Sequence, residues 1–247
     1  MSLSTATNPY QYDDLLVRSQ DLYANTKYQI LHRHLKGQKN LHILNAGCGS
    51  GELSLQLAAA GHRVLGIDPS PDYIHLARLN AEQTGVENCS FVVSSIEDFD
   101  ADETFDCVVA TDVLEHIDDD VTAFEKLVRL VKPDGIILIT VPAGQWLFGF
   151  HDEALGHYRR YSRGQLRKLV SPLCRIEALR YFGFSLIPVC YLYSKLLRKP
   201  YPVGESGDSK KNPVVALTLR SMLGLDRLVP LPLGTSLILK ATPRRAA

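Results

Sequence analysis

Residues 43–52 read Ile-Leu-Asn-Ala-Gly-Cys-Gly-Ser-Gly-Glu, an apolar run that breaks into three glycines at alternate positions. Glycine is required where a chain turns sharply or where a ligand presses on the backbone, because a Cβ would clash. A strand, a glycine loop and a following helical pattern describe a nucleotide-type pocket at the end of a parallel strand. The spacing is G-x-G-x-G, whereas a dinucleotide fingerprint needs G-x-G-x-x-G. Glu52 stands where the third dinucleotide glycine would fall. A carboxylate there repels a pyrophosphate but tolerates a ligand carrying a sulfonium and an α-amino group. Arg63-Val64-Leu65-Gly66-Ile67-Asp68 reads as a second strand ending in an acid. Asp68 lies at about the 20-residue distance from which an acidic side chain accepts hydrogen bonds from ribose hydroxyls.

Short apolar runs alternate with helical patterns from about residue 41 to 182, which predicts an α/β fold, a parallel sheet with helices on both faces. Strands are expected at 41–46, 63–68, 89–93, 105–110 and 135–141, and helices at 51–60, 71–84 and 119–131. Ser162 and Gln165 have the spacing of a capping box. The Gly/Ser/Lys stretch at 203–212 reads as an exposed loop, and residues 235–241 as a closing strand. Residues 1–40 read as an N-terminal helical segment, 41–182 as the ligand-binding core and 183–247 as an extension, all within one domain.

The ordered motifs resemble those of the class I S-adenosylmethionine-dependent methyltransferases. Asn45, Ala46, Gly47, Cys48, Gly49 and Gly51 match that family's first motif, and Asp68 with Pro69 its ribose-binding acid. Ser94-Ser95-Ile96 occupies the adenine position, although many members carry an acid there. Phe105–His116 is similar to the fourth-strand motif, with Thr111 and Asp112 beside the cofactor, and Lys132-Pro133-Asp134-Gly135 to the turn into the fifth strand. The resemblance implies a Rossmann-like, doubly wound, seven-stranded sheet with one antiparallel strand, S-adenosylmethionine as cofactor, and N-terminal helices covering it. Tyr23 and Tyr28 on such a helix are then candidate substrate contacts.

The acceptor is expected to meet residues 141–161, because ligands of open α/β sheets bind beyond the carboxyl ends of the strands. This segment holds the only tryptophan, Trp146, together with Phe148, His151, Asp152, His157, Arg159, Arg160 and Tyr161. His151, Asp152, His157 and Tyr161 are candidate bases, as is His116 after the fourth strand. Arg159 and Arg160 are candidate anion clamps, or they pair with Asp152 to fix the loop. The run His151–Tyr161 also looks like one found in a subgroup of bacterial methyltransferases of uncertain substrate.

Twenty-seven basic residues balance 27 acidic ones, so no global field draws the protein to nucleic acid. The five cysteines are scattered and form no C-x-x-C pair, which argues for a reducing, cytoplasmic setting and against a disulfide framework or zinc site. A metal site from His151, Asp152 and His157 is the weaker alternative, and no metal is expected. The N-terminus lacks the pattern of a signal peptide. The apolar run 182–193, ending in Lys195, Arg198 and Lys199, reads as core, as a greasy acceptor pocket or as a transient membrane-surface contact. The expected function is methyl transfer to a small or lipid-like acceptor, with oxygen favoured over nitrogen and carbon. A non-catalytic S-adenosylmethionine-binding module and a nicotinamide-dependent dehydrogenase are the other classes.

Overall fold

The computed structural model describes residues 21–101, 103–199, 213–229 and 231–244. A seven-stranded sheet runs in the order β3-β2-β1-β4-β5-β7-β6. Its strands are β1 (His42–Ala46), β2 (Arg63–Asp68), β3 (Cys89–Val93), β4 (Phe105–Thr111), β5 (Val131–Pro142), β6 (Cys174–Phe182) and β7 (Ser236–Pro243). All pairings from β3 to β5 are parallel, and β7 runs antiparallel to both of its neighbours. One antiparallel strand in seven is the topology that the motifs implied.

The central strands read as unbroken apolar runs because both faces are covered. On β4, Val108 and Ala110 enter one core layer while Cys107 and Val109 enter the other. Helices α2 (Glu52–Ala59), α3 (Pro71–Thr84) and α4 (Asp120–Leu130) link successive parallel strands. The chain winds outward through β1, β2 and β3 and then returns to β4 beside β1. The direction of winding reverses there, which opens a crevice at the carboxyl ends of β1 and β4.

Helix α1 (Leu22–His34) packs on the second core layer through Ala24, Tyr28, Ile30 and Leu31. Its N-cap, Asp21, accepts hydrogen bonds from the amides of Tyr23 and Ala24. The tyrosines at 10 and 12 and the loop expected at 203–212 lie outside the described residues. The turn expected at Lys132–Gly135 is instead an irregularity within β5. Phe105 pairs with Val131 but Cys107 with Ile136, and a Cβ on Gly135 would stand 2.8 Å from the Asp106 carbonyl. After β5 come the short helix α5 (Phe150–Leu155) and α6 (Arg163–Val170). Ser162 and Gln165 close the expected capping box on α6. Beyond β6, α7 (Ile187–Cys190) continues as a π-helical turn, Tyr191–Leu197, and α8 (Pro213–Leu228) packs against α1.

Candidate active site

The glycine loop joins β1 to α2 at the crevice. Gly47, Gly49 and Gly51 have φ of 70°, 53° and 85°, a region that is costly for other residues. The amides of Gly47 and Cys48 donate to the Ile67 carbonyl, which ties the loop to β2. A Cβ on Gly47 would lie 2.4 Å from Val113 Cγ2. Gly51 has a packing reason instead, since its Cβ would meet Phe91 and Ala77. Asn45 is buried and donates through Nδ2 to Ser54 Oγ.

Asp68 ends β2 and is 7% exposed. One carboxylate oxygen accepts from the Gly49 amide and the other from the Ser70 amide, both at 3.0 Å. Burial raises its pKa, and those two amides oppose the rise. A carboxylate offers about four acceptor positions, so two remain for the vicinal hydroxyls of a ribose. These residues therefore fit the nucleoside of S-adenosylmethionine: a glycine loop too crowded for side chains, and a buried acid with acceptor capacity to spare. Around the adenine position the side chains do less than expected. Ser95 Oγ is engaged with Asp98, and Ile96 is buried in the core. Pro69 is exposed and Cys48 buried beside the loop.

At the end of β4 the chain makes a tight turn through Asp112, whose φ is 55°. Its carboxylate accepts from Thr140 Oγ1 at 3.0 Å and forms an ion pair with the buried Lys27 ammonium of α1. The role of Lys27 at this turn depends on the packing of α1.

The segment 141–161 folds back over this end of the sheet, but Asp152, His157 and Arg160 are spent on one another and Arg159 and Tyr161 on residues 117–120. Asp152 is fully buried and accepts from Arg160 Nε at 2.7 Å, His157 Nδ1 at 2.9 Å and the Gly149 amide at 3.0 Å. Burial would raise its pKa, but His157 and Arg160 outweigh that and hold it near about 2. Asp152 is therefore not a base, and the buried Arg160 is not an anion clamp. Arg159 donates to the carbonyls of Ile117 and Asp118 and pairs with Asp120 at 3.0 Å. Tyr161 is 3% exposed, and its hydroxyl donates to Asp120 at 2.6 Å. Burial, then the Asp120 carboxylate, push its pKa upward, so it too is unsuited to act as a base.

The remaining candidates divide. His151 lies outside the cluster described next, and its amide meets Ser194 Oγ at 3.3 Å. Trp146 is 48% exposed and approaches Tyr191, while Phe148 is half-buried. Tyr23 is pinned by hydroxyl contacts of 2.7 Å to Thr235 and Ser236 and stacks on Phe182, and Tyr28 is buried. Both tyrosines thus serve packing rather than substrate contact.

His116 and His157 are brought together, with ring centroids 4.5 Å apart in an edge-to-face arrangement. Burial, then the neighbouring His157, lower the His116 pKa to about 4, so its imidazole is neutral at physiological pH. Glu115 joins them, with one donor atom of each of the three residues lying within 4.8 Å of the others. Glu115 is fully buried, and burial followed by Asp112 raises its pKa well above the usual carboxylate range. Sequence reasoning passed over Glu115. The available signal was an acid inside the otherwise apolar stretch Val113-Leu114-Glu115, directly before a histidine.

A family model described as a methyltransferase domain matches residues 37–169. The ubiquinone biosynthesis O-methyltransferase of Azorhizobium caulinodans is 37% identical over 108 residues, 44% of this chain and 43% of that protein. The protein of the same name from Rhodopseudomonas palustris is 32% identical over 120 residues, 49% of this chain and 47% of its own length. The matched stretch thus spans about half the length of these curated relatives. Among solved structures, the N-methyltransferase NodS of Bradyrhizobium japonicum, in complex with S-adenosyl-L-homocysteine, superposes with a TM-score of 0.60 at 16% identity. That match covers 98% of this chain and 94% of NodS. A TehB-like SAM-dependent methyltransferase from Corynebacterium glutamicum gives 0.59 at 19% identity, covering 96% and 100%. At these identities both likenesses bear on the fold.

Proposed function

This chain belongs to the methyltransferase domain family, and on that premise we propose that it methylates a hydroxyl of a small or amphiphilic molecule. The cofactor is S-adenosylmethionine, which supplies a methyl carbon already activated by its sulfonium. The names of the curated relatives support oxygen as the acceptor. One observation supports the reading: Glu115, His116 and His157 gather just after β4, the strand that neighbours β1 at the switch point, and the loop after β1 carries Gly47 and Gly49. Gly47 and Gly49 let the backbone approach the cofactor, and Asp68 holds its ribose. An already activated methyl group asks for alignment and for removal of the acceptor's proton. Among the described residues His116 and the free Nε2 side of His157 are the candidates for taking that proton, with His151 outside the cluster, because Asp152 and Tyr161 are committed elsewhere.

An amphiphilic acceptor met at a membrane surface is supported by Trp146, Tyr191, Leu192, Leu196 and Leu197, all large, apolar and at least 43% exposed. The basic residues Lys195, Arg198 and Lys199 accompany them, and aromatic and basic groups together favour a lipid interface. No helix among the described residues is long and apolar enough to cross a membrane. The five cysteines, scattered and without a C-x-x-C pair, support the cytoplasm as the setting.

The test is transfer of an isotopically labelled methyl group to a panel of phenols, polyprenylated phenols and matched amines, with products identified by mass spectrometry. Label is expected in methyl ethers. Label confined to amines would overturn the oxygen assignment, and cofactor binding without any transfer would overturn catalysis on this panel.

A further inference from the structure

We propose that the cleft between α1 and α8 is a binding site for the phosphate monoester of a small hydroxylated molecule. The cleft has a volume of about 350 Å³. Helix α1 lines it with Leu22, Asn25, Thr26 and Gln29, and α8 with Arg220, Gly224 and Arg227. Residues three and four apart share one face of a helix, so Gly224 separates the two arginines on the wall that α8 presents. None of these lining residues is acidic. Asp226, the chain neighbour of Arg227, is turned to the amide and hydroxyl of Ser185. The last carbonyls of a helix repel an anion, but here Arg180 donates to those of Asp226, Arg227 and Val229.

The first observation that points to a ligand is the state of Arg227. Its Nη1 donates to Gln29 Oε1, whereas its Nε is buried and has no hydrogen-bond acceptor among the described residues. A buried donor left unpaired carries its full desolvation cost, and the large majority of such groups in folded proteins are paired. The Nε–H belongs to the guanidinium fork that grips a carboxylate or phosphate through two parallel N–H groups. An oxyanion in the cleft supplies the missing acceptor. Arg220, exposed on the same face of α8, supplies a second positive charge.

Gly224 is the second observation. Glycine within a helix is destabilising relative to alanine. No left-handed turn calls for it in α8, and no packed neighbour lies within 4 Å of where a Cβ would stand. Its effect is to keep the cleft open between the two arginines. The donor inventory then narrows the ligand. Two guanidiniums suit a dianion, and a phosphate monoester carries roughly two negative charges at pH 7 on three acceptor oxygens. Gln29 gives its amide oxygen to Arg227, so its NH₂ group is the donor it offers a ligand. Thr26 gives its proton to the Leu22 carbonyl at 2.6 Å, which makes Oγ1 an acceptor for a ligand hydroxyl. Inorganic phosphate alone would leave much of the cleft empty, since pockets for small molecules begin at roughly 300 Å³. The cleft shares no residue with the crevice of Gly47, Gly49 and Asp68, and the site stands without the methyl-transfer reading.

The full chain is titrated calorimetrically at low salt with sn-glycerol 3-phosphate, with inorganic phosphate and with glycerol. In parallel it is sedimented with vesicles of phosphatidylcholine, with and without phosphatidic acid. One equivalent of glycerol 3-phosphate is expected to bind, more tightly than inorganic phosphate, and glycerol not at all. Arg227→Gln should weaken the ester about tenfold or more, as a lost hydrogen bond to a charged group does. Gly224→Leu should abolish binding by filling the cleft. Leucine is a better helix former than glycine, so this variant should melt no lower than the parent, and its loss of ligand is not unfolding. Both variants should bind S-adenosylhomocysteine as the parent does. Sedimentation that needs phosphatidic acid and is lost in Arg227→Gln, without binding of the soluble ester, supports the site and assigns its phosphate to a lipid headgroup. Binding of the soluble ester supports a free metabolite. Binding in neither arm, or Gly224→Leu binding the ester as the parent does, overturns the site and makes Arg227 a helix-packing residue. Equal affinity for inorganic phosphate and the ester overturns the ester assignment.

Discussion

Asp152 shows what a residue's surroundings do to its apparent chemistry. Read along the chain, His151-Asp152 and His157 look like acids and bases awaiting a substrate. Folded, Asp152 receives Arg160 Nε, His157 Nδ1 and the Gly149 amide in a site closed to solvent. Breaking a buried ion pair by removing one partner costs about 3–5 kcal/mol. Asp152→Ala is therefore expected to lower the unfolding free energy by about that amount, measured by urea denaturation. A loss under about 1 kcal/mol would mean that the loop does not depend on this carboxylate. The glycine loop behaves differently. Its requirement for left-handed backbone at Gly47, Gly49 and Gly51 is local, so residue types alone reveal it.

Among elements, those set by local rules were the ones read correctly. α6 begins where Ser162 Oγ accepts from the Gln165 amide and Gln165 Oε1 accepts from the Ser162 amide. Both partners lie within one helical turn, so the start is visible in four residues. Ser162→Ala is expected to cost about 1 kcal/mol, read as a drop in the urea midpoint with an unchanged slope. β6 was not singled out as a strand. Its sequence, Cys174-Arg175-Ile176-Glu177-Ala178-Leu179, mixes charge with modest apolar residues, and it lies at the sheet edge, paired only with β7 some 60 residues away. The irregularity at Lys132–Gly135 has the same cause. A proline–glycine pair signals a turn, and pairing with β4 on either side turns it into a bulge.

For the whole molecule, burial of neutral imidazoles sets a pH dependence. Burial lowers the pKa of His32, His34, His42 and His62 below the usual 6.5. Between the depressed folded values and 6.5 the unfolded chain binds more protons than the folded one, so stability rises with pH through that interval. The contribution is complete above about pH 6.5 and is lost as pH falls towards the folded values. Thermal midpoints should therefore climb as pH rises towards about 6.5 and then level off. Midpoints that fall over this range would contradict neutral burial of these four side chains.

The sequence by itself determined the sheet's central strands, the glycine loop, the acid at the end of β2 and the capping box of α6. Each follows from periodicity or backbone freedom within a few residues, which tertiary contacts reinforce rather than choose. Only the tertiary structure decided which polar groups remain available. It drew Asp152, Arg160 and Tyr161 into buried partnerships, set Arg159 against Asp120, and sent Lys27 from α1 to Asp112 across 85 positions of sequence. It also brought donor atoms of Glu115, His116 and His157 within 4.8 Å of one another. The cost of burying a charge depends on neighbours distant in the chain, and spacing along the sequence carries no record of them.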